Sequence, residues 1–130
     1  GCGAHLIQLR RVQSGFFNLQ RALSWETLQR LTLAELGPWL IPMEEALPGT
    51  PEVIGNPHLI RKVLTGREMR VGDLCPQSLS EFDSGTVVKI TAPGRGLIAL
   101  LRSEVKQSNI PWNDRNAVVF RPLRVFQSYQ

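Results

Sequence analysis

Histidine and cysteine are scarce in this 130-residue chain, with two of each: His5, His58, Cys2 and Cys75. A zinc site needs such groups at ligand spacing, and no cluster of His, Cys, Asp or Glu here provides it. A nucleophile or general base needs a partner within reach, and none announces itself. The cysteines have no C-x-x-C spacing and read as free thiols in a reducing cytosol. No apolar run approaches the roughly 20 residues that span a bilayer. The start has neither the n-region nor the h-region of a signal peptide. The expected setting is cytoplasmic, with no membrane partner. No glycine-rich loop matches a phosphate cradle, and Ala92-Pro93-Gly94-Arg95-Gly96 reads as a hairpin turn. Asp73, Asp83 and Asp114 stand beside Gly72, Ser84 and Asn113 and read as turn residues. His5 reads as a structural histidine in a strand, and His58 as an exposed one in a first helical turn. By its own residues the chain is not a self-sufficient catalyst.

What is present is charge, unevenly placed. In residues 1–50, Arg10, Arg11, Arg21 and Arg30 balance Glu26, Glu35, Glu44 and Glu45. The whole net charge of +4 therefore lies in residues 51–130. A basic half of this kind points to a polyanionic partner.

The apolar pattern predicts a strand over His5–Val12, with Leu6, Ile7, Leu9 and Val12 apolar. Ser14-Gly15 is a turn, followed by apolar Phe16, Phe17 and Leu19. Ser24 is an N-cap for a helix carrying Trp25, Leu28 and Leu31. Thr32 to Glu35 has the capping-box pattern, and Gly37-Pro38 ends that helix. Pro42 starts one more turn through Ala46. Pro48-Gly49-Thr50-Pro51 cannot continue a helix and reads as a linker, which sets a boundary between residues 1–50 and 51–130. Beyond it, Glu52-Val53-Ile54 is extended. Asn56-Pro57 supplies an N-cap and an N1 proline, Leu59, Ile60, Val63 and Leu64 an apolar stripe, and Gly66 the C′ position. Arg61, Lys62, Arg67 and Arg70 gather at that helix's C-terminal side, where cations suit the dipole. Thr86–Thr91 and Leu97–Leu101 make a hairpin, and Asn109–Asn116 a loop. Ala117–Phe120 and Leu123–Phe126 close the chain as strands, interrupted at Pro122. One helix among several short strands predicts a small β-barrel.

The chain opens without a start methionine, on Gly1-Cys2-Gly3-Ala4-His5-Leu6-Ile7-Gln8-Leu9-Arg10-Arg11. This stretch resembles the G-x-G-A-H-x-x-x-L-R-R segment of the bacterial TruB family, the synthases that form pseudouridine in the tRNA T loop. Ser14-Gly15-Phe16-Phe17 is similar to the family's S/V-G-P-F, with Phe16 in place of proline. Ala22-Leu23-Ser24 and the helix after it resemble its A-V-S-L-E-E-L. Leu40-Ile41-Pro42-Met43-Glu44-Glu45-Ala46-Leu47 resembles L-L-P-M-D-E-A-L, and Arg121-Pro122-Leu123-Arg124-Val125-Phe126 the closing R-P-L-R-V-F. The matches run in family order over nearly the whole chain.

The resemblance implies an α+β chain. Residues 1–50 would be the tail of a mixed-sheet pseudouridine synthase catalytic domain, and residues 51–130 a small PUA-like β-barrel that binds RNA. It implies isomerisation of uridine 55 by base flipping, dependent on an aspartate in a G-x-L-D-x-x-A motif absent from this sequence, so this piece alone is expected to be inactive. It implies no cofactor and no metal. Leu9 corresponds to the leucine that packs against the target base. Arg10 and Arg11 correspond to the arginines beside it, which implies contact with RNA phosphates or with pocket carboxylates. Lys62, Arg67 and Arg70, with Lys89, Arg95 and Arg102, become candidates for the phosphate backbone. The implied partner is tRNA, through its T arm and with the acceptor stem as a second candidate, bound by a monomer. The competing readings are a standalone PUA-like RNA-binding module without catalysis and a basic protein-interaction domain.

Overall fold

Proline and glycine punctuation divides the chain into short elements, and the structure, a computed structural model, describes residues 1–126 of it. They fall into two compact units, Gly1–Ile41 and Pro42–Gln130.

In the first unit, residues 1–12 form no regular structure and none of their side chains is buried. The strand expected over His5–Val12 is therefore not formed. A strand is stable only when its N–H and C=O groups are paired, and no partner strand lies beside this segment among the described residues. His5 is accordingly exposed rather than packed. The pairing that does form is a minimal hairpin of β1 (Gln13–Ser14) and β2 (Phe17–Asn18). Gly15 takes φ +57° at its turn, a value glycine adopts without steric cost. Two single-turn helices follow. Helix α1 (Trp25–Leu28) starts at Ser24, whose Oγ accepts from Thr27 N at 3.2 Å. Helix α2 (Leu33–Leu36) starts at Thr32, whose N–H and hydroxyl both donate to Glu35 Oε2 at 2.8 Å. Those two bonds hold the Glu35 carboxyl below its ordinary pKa.

The second unit begins earlier than the proline-rich linker. Pro42 closes one turn by accepting from Glu45 N and Ala46 N, both at 3.0 Å. Lys89 then donates to the Glu44 carbonyl at 3.0 Å and ties this turn to the sheet. The sheet has five strands in the order β3 (Glu52–Ile54), β5 (Val87–Ala92), β6 (Gly96–Ser103), β7 (Val118–Val125), β4 (Met69–Arg70). Only β3–β5 is parallel; the other pairs are antiparallel. The expected hairpin is β5–β6. The two expected closing strands are one strand, β7, in which Pro122 lies opposite Leu101 beside a register shift. Strand β4 reaches only Val118 and Phe120 of β7. The missing N–H of Pro122 therefore costs no ladder bond on that side.

Helix α3 (Pro57–Leu64) packs Leu59, Ile60 and Val63 into the core. Its ends follow the sequence signals. Asn56 Oδ1 accepts from Leu59 N at 2.8 Å, and Gly66 at φ +72° donates to Val63 O at 2.8 Å. Leu64 lies at the margin of the stripe, partly exposed. Alternation along β5 and β6 puts Val88, Ile90, Ala99 and Leu101 inward, where they meet Val53, Met69, Val119 and Phe120, all fully buried. The Phe120 ring tilts against Phe82 with centroids 5.0 Å apart, a separation typical of attractive ring pairs.

Candidate nucleic-acid interface

Once α3 turns Leu59, Ile60 and Val63 inward, the 3.6-residue period leaves His58, Arg61, Lys62 and Thr65 on its outer side. With Arg67, just past the Gly66 stop, they line a depression of about 490 Å3. Arg61 also lines a second depression of about 580 Å3, shared with Gly55, Leu64, Ala92 and Arg95 of the β5–β6 turn. The turn is shaped by Gly94 and Gly96, at φ +72° and +69°. The floor of this depression depends on Gly55. A Cβ there would stand 2.9 Å from Ile60 Cγ1 and 3.2 Å from Ile90 Cδ1.

The basic side chains divide by their partners. Lys62 Nζ donates to Asp73 Oδ2 at 2.5 Å and is only 21% exposed. Arg70 donates to Glu68 Oε1 at 2.7 Å and to the Asn116 carbonyl at 2.9 Å. These two candidates brace the fold. Arg61 and Arg67 are exposed and make no ion pair or side-chain hydrogen bond among the described residues. Asp73 is the anchor of the braced set. Burial works to raise its pKa, but the Lys62 bond, the Arg70 N–H at 2.8 Å and the charges of Lys62 and His58 outweigh burial and hold it below the ordinary value. His58 Nε2 stands 3.6 Å from Asp73 Oδ1 and is largely exposed, as the sequence predicts.

In the first unit Leu9 is 79% exposed and Arg10 and Arg11 are exposed beside it. Cys2 and Cys75 are both free and exposed. Among the described residues no group of three or more His, Cys, Asp or Glu could hold a metal ion, and no helix is long and apolar enough to cross a membrane. Arg61 and Arg67 are exposed cations of the kind that suits phosphate oxygens. Arg61, at the junction of both depressions, was legible only as one member of a charge cluster. The signal that singles it out is its helical offset from the buried Leu59, Ile60 and Val63.

Comparison with known proteins gives this surface a context. Residues 1–48 match the family described as tRNA pseudouridylate synthase B C-terminal domain. The chain is 36% identical over 105 residues to tRNA pseudouridine synthase B of Geobacter sulfurreducens, a match covering 81% of this chain and 32% of the relative. It is 29% identical over 126 residues to the protein of the same name from Pelotomaculum thermopropionicum, covering 96% and 38%. The chain belongs to the TruB family. It spans about a third of the length of these relatives. Leu9, Arg10 and Arg11 fall within the family-matched region and the α3 surface outside it. Among solved structures, an H/ACA ribonucleoprotein bound to a substrate RNA containing 2′-deoxyuridine aligns at TM-score 0.57 and 21% identity, over 66% of this chain and 26% of that one. A conserved PUA domain protein from Thermoplasma acidophilum aligns at TM-score 0.51 and 13% identity, over 60% and 50%. At such identities the likeness concerns fold. The chain has an α+β architecture with a PUA-like domain.

Proposed function

We propose that this TruB-family chain is the RNA-holding C-terminal part of a tRNA pseudouridine synthase that isomerises uridine 55 of the T loop. Residues 1–50 would be the tail of the catalytic domain and residues 51–130 its PUA-like RNA-binding domain. In this reading the target base leaves the stack, its glycosidic bond breaks, the base turns, and a carbon–carbon bond rejoins it to the sugar. The aspartate that assists belongs to a motif this sequence does not contain. Leu9 would line the base pocket, and Arg10 and Arg11 would contact the nearby backbone. Arg67 and Arg61 would hold phosphates at α3, with Lys62 and Arg70 supporting that surface from beneath. The protein would act as a monomer in the cytoplasm, on the T arm and acceptor stem of tRNA.

The observation that carries the reading is the family match at residues 1–48, followed by a fold that exposes Arg61 on α3 and Arg67 just past its end, neither with an ion pair or side-chain hydrogen bond among the described residues. The test is binding of a tRNA transcript to the 130-residue chain across a salt series. Affinity should fall linearly with salt on logarithmic axes. The Arg61→Gln/Arg67→Gln pair should flatten that slope by roughly 1.5–2. Affinity indifferent to salt would remove the electrostatic basis of the proposal.

A further inference from the structure

The sheet carries a second cationic surface, separate from α3. On the outward side of the β5–β6–β7 ladder, Arg102 lies directly opposite Arg121, and Leu100 opposite Arg124. Arg102 follows Leu100 by two residues, so Arg102 and Arg124 share that face as diagonal neighbours, with the register shift of β7 between them. The core side of the same strands is filled by Ala99, Leu101, Ser103 and Phe120.

Two arginines placed directly opposite each other repel. The protein offsets one of them. Arg121 donates to Glu68 Oε2 at 3.0 Å and pairs with Glu104 Oε1 at 3.2 Å. Arg102 and Arg124 receive no such compensation; both are exposed, and neither side chain has a hydrogen bond or ion pair among the described residues. A fold that supplies two carboxylates to one arginine of the trio and none to the other two leaves a cationic pair on adjacent strands, one on each side of the β7 register shift. Strand-borne side chains hold their spacing better than loop-borne ones. Leu100, opposite Arg124, is the partly buried apolar neighbour on this face.

We infer that Arg102 and Arg124 form a second contact for the RNA phosphate backbone, on the sheet rather than on α3. The inference rests on the RNA-binding reading above and adds a separate surface to it. Arginine suits the task because its planar fork matches phosphate oxygens in pairs.

The test uses the 130-residue chain and a tRNA transcript over a salt series. Arg102→Gln/Arg124→Gln should flatten the logarithmic salt slope by roughly 1.5–2, and Arg102→Lys/Arg124→Lys should retain the native slope. Combined with Arg61→Gln/Arg67→Gln, the losses in slope should add, as expected for separate surfaces. If the double glutamine variant fails to fold by circular dichroism, the single variants decide, each expected to remove about half of the change. A native slope and affinity in the glutamine variants, with loss in the α3 pair, overturns the sheet contact and leaves the RNA-binding reading standing. No tRNA binding by the native chain overturns both. Equal effects on polyglutamate binding and on tRNA binding would overturn the RNA assignment in favour of an acidic protein partner.

Discussion

Asp73 is the residue on which the basic side of α3 depends. Its carboxylate, 11% exposed, receives Lys62 and the Arg70 N–H at once. Replacing it by asparagine removes a charged acceptor from a half-sheltered lysine and should cost about 1.5–3 kcal/mol near neutral pH. The pH dependence has a definite sign. The carboxyl is held below its ordinary 3.8 in the folded state, so its contribution is present above that value and is lost as pH falls through the folded pKa. Urea midpoints of the native and Asp73→Asn chains should therefore differ at pH 6 and converge in acid below the ordinary value. A gap that stays constant would disprove the linkage. Gly55 is a second such residue. Its methyl-sized space is taken by Ile60 and Ile90, so Gly55→Ala should destabilise by roughly 1–3 kcal/mol through overpacking, read as a lower thermal midpoint. Neither role was legible in the sequence. Asp73 beside Gly72 reads as a turn residue, and nothing local shows that Lys62, eleven positions away, closes on it. Arg70 shows the same limit. A charge cluster announces basic residues, but whether a given arginine faces solvent or Glu68 is decided by the tertiary fold.

At the scale of elements, α3 was legible from end to end because each of its signals is local. The Asn56 cap, the Pro57 start, the apolar stripe and the Gly66 stop each depend on neighbours within four residues. Asn56→Ala should cost about 1 kcal/mol, measured as a shift in the unfolding midpoint. The β5–β6 hairpin was legible for the same reason. The segment His5–Val12 has the apolar composition of a strand but no partner strand beside it among the described residues. Composition states a preference, whereas hydrogen-bond partners decide the outcome. The β7 strand is the converse case. Pro122 suggests an interruption, but its place beyond the end of β4 lets the strand continue.

Across the whole molecule, buried residues are distributed as unevenly as charge. No residue of 1–41 is buried, and Leu6, Ile7, Trp25, Leu33 and Trp39 are all more than half exposed. The core lies entirely within the second unit. Opening free energies follow buried contacts and protected backbone bonds. Amide exchange should therefore be fast throughout residues 1–41 and slowest in β5, β6 and α3. Trypsin should cut at Arg10, Arg11, Arg21 or Arg30 well before Arg102. Comparable protection in the two units would contradict this division. At the same scale, the purified chain should form no pseudouridine from a tRNA transcript when assayed by mass spectrometry; detectable product would contradict its assignment as a part without the catalytic aspartate.

The sheet's two borders bear on a different property, its behaviour at high concentration. Along β3, Glu52 donates to Ser80 Oγ and accepts from Ser80 N, and Val53 bridges to Leu79, so a loop already occupies that side. The other border is β4, two residues long, beyond which β7 presents Pro122. A growing cross-β assembly needs a run of unsatisfied donors and acceptors to extend from, and each border is occupied, short or interrupted by proline. Pro122→Thr would restore a donor at the open stretch of β7, and light scattering on storage should then rise while the native chain stays clear.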